Sequence, residues 1–147
     1  MAPVTLDDDD YVFARVYADY LAKGSTQDAS RTLAAYVKYM DSIFAFFEQW
    51  GVTVTGHDVK QILLIHASQL NADAMPQLLR MIEQRGYELI SLWEALTDPA
   101  YQLPDKYVGP MGISWIHRWA MDKGIKVQWE PEAPDWVTKA YKASPIR

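Results

Sequence analysis

The chain has 147 residues, 50% of them hydrophobic and 22% charged, with seven glycines and eight prolines; this make-up belongs to an ordinary globular domain and excludes disordered, collagen-like and repeat architectures. Nineteen acidic against fourteen basic residues leave a net charge of -5, and no basic stripe is present to neutralise a run of phosphates, which argues against a nucleic-acid partner. Cysteine is absent, so thiol nucleophiles, thiolate zinc sites and disulfides drop out together, and the compartment cannot be read from redox chemistry.

In chain order, Pro3 to Leu6 is a short β-prone run that stops at Asp7-Asp8-Asp9-Asp10, which puts carboxylates at the C-terminal end of a strand. From Tyr11 to Lys23 the apolar residues Val12, Val16, Tyr20 and Phe13, Tyr17, Leu21 recur at helical spacing before Gly24, which predicts one amphipathic helix. Ser25 or Thr26 caps a second, longer helix whose apolar face (Leu33, Val37, Met40, Phe44, Phe47) ends before Gly51. Gln61 to His66 is a continuous apolar run closed by a polar residue, the pattern of a parallel strand buried on both faces. Asn71 or Asp73 then caps a helix that accepts Pro76 in its first turn and ends at Arg85-Gly86. Tyr87 to Leu92 reads as a second buried strand, completing a strand–helix–strand unit. A helical turn at Trp93 to Leu96, a long Pro- and Gly-rich loop from Asp98 to Gly112, a helix over Ile113 to Lys123 and a last helix near Asp135 to Ala143 follow. No apolar stretch reaches the ~20 residues needed to cross a bilayer, so a soluble chain without signal peptide or membrane partner is expected.

Three strands cannot close a barrel, and the first of them has no upstream helix to cover it. The expected architecture is therefore α/β: a partial, truncated and deformed (β/α) barrel with few parallel strands and long helices, forming a single domain over residues 1–147.

Pro3-Val4-Thr5-Leu6-Asp7 with Asp10-Tyr11, and Gln61-Ile62-Leu63-Leu64-Ile65-His66-Ala67 followed by Leu70-Asn71-Ala72-Asp73, resemble the last two motifs of the polysaccharide deacetylase (NodB-homology) family. Arg85-Gly86-Tyr87, Leu92 to Leu96, Asp98 to Tyr101 and Gly112 to Trp119 are similar to the tail of a bacterial subgroup. The resemblance covers about residues 3–123 and implies the C-terminal half of a distorted barrel that removes acetyl groups from N-acetylated sugars with a divalent metal, an aspartate base and a histidine acid. The family's early motifs have no counterpart here: there is no TFDDG-like strand end, no His-x-x-x-His pair and no arginine motif after them. No metal ligand and no cofactor are accordingly assigned. What carries over is His66 as general acid, Asp10 or Asp7 as the carboxylate that orients it, and Leu64 as a wall of the acetyl pocket.

Read from the residues alone, a histidine at a strand end beside a carboxylate suits general acid–base work, because the carboxylate fixes the ring and favours its protonated form; a hydrogen-bonded core histidine is the plain alternative. The aspartate run can cap the first helix, hold a cation or, through mutual repulsion, keep a proton on one of its members. His57 and His117 lie at no metal-presetting distance in sequence from His66. Trp115, with Asn71, is a candidate sugar contact, although tryptophans at helical spacing more often belong to a core. Three functions follow: a deacetylase-like carbohydrate hydrolase that keeps the His/Asp acid half, a metal-independent glycoside or ester hydrolase, and a non-catalytic carbohydrate-binding or assembly module. Apolar strand edges without internal partners predict a homodimer or higher homo-oligomer, with a carbohydrate or other small molecule as substrate.

Overall fold

Helix dominates the molecule. The computed structural model describes residues 2–145 and is 58% helical with 1% strand, so the expected α/β architecture, a truncated barrel of parallel strands, is corrected to a helical one. Its elements are α1 (Asp10–Ala22), α2 (Thr26–Thr55), α3 (Gln69–Gln84), α4 (Leu92–Ala95), a 3-10 turn at Pro99–Gln102, α5 (Trp115–Asp122) and α6 (Asp135–Ala143).

Of the expected strands one contact survives among the described residues, a parallel bridge between Leu6 and Leu63. Thr5 N and Leu6 N donate to Ile62 O at 3.0 and 3.1 Å, and Leu64 N donates to Leu6 O at 3.2 Å. The apolar run Gln61 to His66 is extended but not buried, and Leu64 is 40% exposed. Tyr87 to Leu92 forms no bridge and leaves Leu89 74% exposed. Parallel pairing is slightly weaker per residue than antiparallel, and a lone two-stranded pair is marginal in water; Thr5 and Leu6 are buried but residues 61–66 are not, and the pairing stops at one bridge.

The chain divides into two compact units. The first comprises Met1–Asp7, Ile43–Leu64 and Leu89–Glu130; the second comprises Asp8–Ser42, Ile65–Glu88 and Pro131–Arg147. The chain passes from one unit to the other after Asp7, Ser42, Leu64, Glu88 and Glu130, the second of these points lying inside α2.

In the second unit α1 packs on α3 and α6. Val12, Phe13, Val16 and Tyr17 bury one face of α1, and the Phe13 ring lies 5.4 and 5.0 Å from those of Tyr36 and Tyr39. The buried face of α2 here runs through Thr32, Tyr36, Tyr39 and Met40, one step round from the Leu33–Val37 stripe that hydrophobicity selects; the tyrosines bury more area and keep a polar tip for internal hydrogen bonds. Arg15 and Arg31 lie over the rings of Tyr141 and Trp136 at 4.2 and 4.3 Å, which holds α6 by cation–π contact as well as burial of Val137.

The first unit is built on His117, fully buried among Phe46, Phe47, Trp50 and Trp129 with centroid distances of 5.0 to 6.3 Å. Its Nε2 hydrogen-bonds Gln128 O at 2.8 Å, and Glu130 lies 3.6 Å away. Burial holds its pKa below the ordinary imidazole value, the bond to Gln128 opposing this only in part. The unfolded chain therefore takes up a proton at position 117 near pH ~6.5 while the folded chain does so only at lower pH. The stability contributed by neutral His117 is complete above that value and is lost as pH falls below it. Urea midpoints measured at about pH 7.5 and 5.5 are expected to differ in this direction, with the gap narrowed in His117→Leu.

Two helix ends depart from the sequence reading. Gly51 does not stop α2, which continues to Thr55 and turns at Gly56 with φ +87°. Gly51 is a packed interior position of the helix, where an added Cβ would stand at ordinary contact distance, 3.5 to 3.8 Å, from Gln61, Ile116 and Val59. Lys123 Nζ donates to Val54 O at 2.7 Å, which supplies a cation and a donor to the carbonyl end of α2. In α3 the cap is Ser68, whose hydroxyl accepts from Asn71 N at 3.1 Å; Asn71 and Asp73 lie inside the helix. Pro76 is consequently the eighth residue of α3 and not in its first turn, and the carbonyl of Ala72 lacks its usual donor. Pro76→Ala is expected to raise the urea midpoint, with a gain of up to about 3 kcal/mol.

Candidate functional site

The N-terminus of α1 and the segment leading into α3 bring Asp10, His66 and Asn71 together, all within the second unit. Helix α1 begins at Asp10, and the preceding Asp9 makes no side-chain cap. Asp10 does not cap α1 either. Its backbone N donates to Asp8 Oδ1 at 2.7 Å, while its own carboxylate, 1% exposed, turns to His66 and Asn71.

Both carboxylate oxygens are occupied. Oδ1 lies 2.6 Å from His66 Nδ1; Oδ2 accepts from His66 N at 2.7 Å and from Asn71 Nδ2 at 2.7 Å. An ionised carboxylate only accepts, so the ring nitrogen facing it carries the hydrogen, and Nε2 is the nitrogen presented outward from a side chain that is 56% exposed. Two backbone and side-chain donors besides the imidazole offset the cost of burying a negative charge.

Asn71 is itself fixed. Nδ2 also donates to His66 O at 2.8 Å, and Oδ1 accepts from Tyr36 Oη at 2.6 Å. Burial, with the negative charges of Asp8 and Asp10 beside it, pushes the Tyr36 phenol far above its ordinary pKa, so Tyr36 keeps its proton and remains the donor. That decides the orientation of the Asn71 amide. Helix α3 is tied to α1 a second time by Tyr17, whose hydroxyl donates to Asp73 Oδ2 at 2.7 Å; burial and that carboxylate raise the Tyr17 phenol to about 12. Nearby, Asp9 is raised above the ordinary carboxylate range by burial, by Glu132 and by Asp10.

His66 opens onto a depression of about 400 Å³ lined by Ile65, Ala67, Ala72 and Met75 together with Ser68 and Asn71. The walls are mostly aliphatic and the imidazole is the one ionisable group lining it.

The other expected site residues are placed elsewhere. Asp7, Leu64 and Trp115 belong to the first unit, and Leu64 does not line the depression. Trp115 donates its backbone N–H to Val4 O at 2.8 Å, and one face of its indole is covered by the Arg118 guanidinium at 3.9 Å. Asn71, expected as a substrate contact, does stand at the depression beside His66, where its amide also holds Asp10; it caps no helix. Tyr36 was not signalled by the sequence, because its partner lies 35 residues away and nothing in a helical apolar stripe marks one tyrosine as a donor. Ser68 was legible: a Ser immediately before a run of helical periodicity is an N-cap pattern.

The first unit holds a second His–Asp pair. His57 Nε2 lies 2.8 Å from Asp98 Oδ1, and Asp98 also accepts from the backbone of Lys60 and Ala100 at 3.0 and 2.8 Å. Burial acts to raise Asp98, but these donors outweigh it and hold the carboxyl below its ordinary range. Asp98 is thereby a staple between the end of α2 and the 3-10 turn.

The metal set implied by the deacetylase resemblance does not fit: among the described residues no three His, Asp or Glu side chains converge in an arrangement that could hold an ion. Among the described residues, no helix is long and apolar enough to cross a membrane. Known protein families, curated proteins and solved structures each yield no match to this chain.

Proposed function

We propose that Asp10 and His66 form a general acid–base pair serving the hydrolysis of acyl groups carried on sugars. The observation that supports this most is the buried, doubly occupied Asp10 carboxylate, which holds the imidazole through Nδ1 and leaves Nε2 as the second hydrogen-bonding edge of a side chain that lines an aliphatic depression. The walls of Ile65, Ala67, Ala72 and Met75 suit a methyl or short acyl chain. The resemblance of the motifs around Asp10 and His66 to those of the polysaccharide deacetylases supports the same choice of bond.

Neutral His66 Nε2 accepts a proton from water as the water oxygen adds to the acyl carbon. The imidazolium formed is paired with Asp10, and its Nε2 proton passes to the leaving nitrogen or oxygen as that bond to the acyl carbon breaks. The products are the free carboxylic acid and the sugar amine or alcohol, and the ring returns to its starting form. The occupation of both Asp10 oxygens weighs against the alternative of glycoside cleavage, in which two carboxyl groups must themselves face the glycosidic bond.

The test is acetate release from an acetylated chitooligosaccharide and from an aryl acetate, measured with and without a chelator. Turnover of either acyl substrate that exceeds buffer and free imidazole is expected. A rate equal to that of free imidazole on both would sink the reading.

A further inference from the structure

Between α2 and α3, within the second unit, runs a groove of about 480 Å³. Ala34, Val37, Lys38 and Asp41 line it from α2 at i, i+3, i+4 and i+7, and Gln77, Arg80, Met81 and Gln84 line it from α3 at the same spacing, so each helix contributes one stripe. The two helices are pinned near the start of α3 by the Tyr36–Asn71 hydrogen bond and just past its end by the pairing of Arg85 Nη1 with Asp41 Oδ1, both at 2.6 Å. The groove is therefore preformed, and filling it requires little ordering of the chain. The α3 residues at the His66 depression, Asn71, Ala72 and Met75, lie about 180° round the helix from the groove stripe.

Three features narrow the occupant. The apolar lining consists of Ala34, which is exposed, Val37, which is partly exposed although it belongs to the stripe that marks α2 as amphipathic, and the edge of Met81. The charged lining is cationic on balance: Asp41 is already neutralised by Arg85, whereas Lys38 and Arg80 are exposed and make no ion pair or hydrogen bond among the described residues, on a chain whose net charge is -5. No aromatic ring lines the groove, so it lacks the flat face on which a sugar or a nucleobase stacks. Two helical stripes with apolar residues between them fit the apolar face of a third helix, whose anchors recur at i, i+3, i+4 and i+7, and the unpaired cations call for acidic residues beside those anchors. A second copy placed groove to groove would instead bring Lys38 and Arg80 against their own equivalents.

We infer that this groove docks an acidic amphipathic helix of another protein, with apolar side chains seated on Ala34, Val37 and Met81 and carboxylates meeting Lys38 and Arg80. A stretch of roughly 10 Å on each helix lines it, the scale of a weak and transient contact. Docking does not use the Asp10–His66 pair and is scored by binding, so its failure is separate from failure of the acyl-hydrolase reading.

The experiment is a titration of the full chain into a fluorescein-labelled designed helical peptide of about 16 residues, followed by anisotropy. The peptide carries leucines at i, i+3, i+4 and i+7 and glutamates on either side of them. One control peptide has lysines in place of the glutamates, and a second keeps the composition but scatters the leucines. Saturable binding is expected for the acidic amphipathic peptide alone, with Kd on the order of 10–100 µM for so small a surface. Lys38→Glu and Arg80→Glu made together, both at exposed positions, are expected to weaken it at least about tenfold and to transfer the preference to the lysine peptide. Ala34→Trp changes no charge but fills the groove, and is expected to weaken binding about tenfold. No binding of the acidic peptide, equal binding of all three peptides, unchanged affinity in either variant, or tighter binding of polygalacturonate than of the peptide would each overturn the inference. So would light scattering that shows a dimer split by the charge reversal, since the occupant would then be a second copy.

Discussion

Replacing His66 by alanine is expected to lower acetate release by a factor on the order of 10²–10⁴, the range a positioned acid–base group contributes, with little change in KM. Asp10 Oδ2 keeps its bonds from the main-chain N–H at position 66 and from Asn71, so far-UV circular dichroism stays that of the parent, while loss of the donor to buried Asp10 Oδ1 is expected to lower stability in urea by about 1–3 kcal/mol. Asp10→Asn is expected to give a comparable loss for a different reason. An asparagine has one acceptor oxygen where Asp10 uses two, so its amide must present hydrogens either to His66 Nδ1 or to donors that already carry one. Facing Nδ1, the amide turns that nitrogen into an acceptor and moves the hydrogen to Nε2, which removes the lone pair needed to take a proton from water. Retention of the parent rate in His66→Ala would show that the hydrolysis, if present, occurs elsewhere.

The second large effect is expected on stability. Asn71→Ala strips a donor from Asp10 Oδ2 and from His66 O, and strips the acceptor from Tyr36, whose hydroxyl is enclosed and held in its protonated form. Each buried polar group left without a partner costs about 1–3 kcal/mol, so a loss of roughly 2–5 kcal/mol is expected from urea unfolding. Tyr36→Phe probes the same chain of bonds from its far end. It leaves only Asn71 Oδ1 short of a donor, and the expected cost is about 1–2 kcal/mol. If Tyr36→Phe lowers kcat while KM holds and Asp10→Asn adds no further loss, the tyrosine acts on the imidazole through Asn71 and Asp10. Equal midpoints for Asn71→Ala and the parent would mean that the network carries no stability.

The local chemistry of several elements was readable from residue order. Gly24 and Gly86 close α1 and α3, and α6 spans the residues assigned to it, because these boundaries depend on a positive φ or a proline-marked start within a few residues. The pairing of His66 with Asp10 came from motif resemblance. Periodicity alone offers no reason to join residues 56 positions apart.

Other readings failed where a long-range partner had to be supplied. A continuous apolar run such as Gln61 to His66 predicts a buried parallel strand only if neighbouring strands lie on both sides, and this chain gives it one bridge. Gly51 reads as a stop by propensity, yet α2 runs through it to Thr55, with Ile116 and Gln61 packed at ordinary contact distance from the position. Met40, Phe44 and Phe47 are buried as the apolar stripe of α2 predicts, whereas Leu33 and Val37 give way to Tyr36 and Tyr39, which reach Asn71 and Asp9 N, an advantage invisible to hydrophobicity.

Sequence by itself determined the composition of an ordinary globular domain and the helices with strong punctuation, which rest on residue type and near-neighbour spacing, and it offered Asp10 and His66 as candidates through motif resemblance. Tertiary structure alone decided that pairing of the apolar runs would stop at one bridge, which carboxylate among Asp7 to Asp10 meets the imidazole, and that Asn71 and Tyr36 stand behind it. Those outcomes depend on which groups can satisfy a buried charge, and buried charges take their partners from wherever the packed chain places a donor.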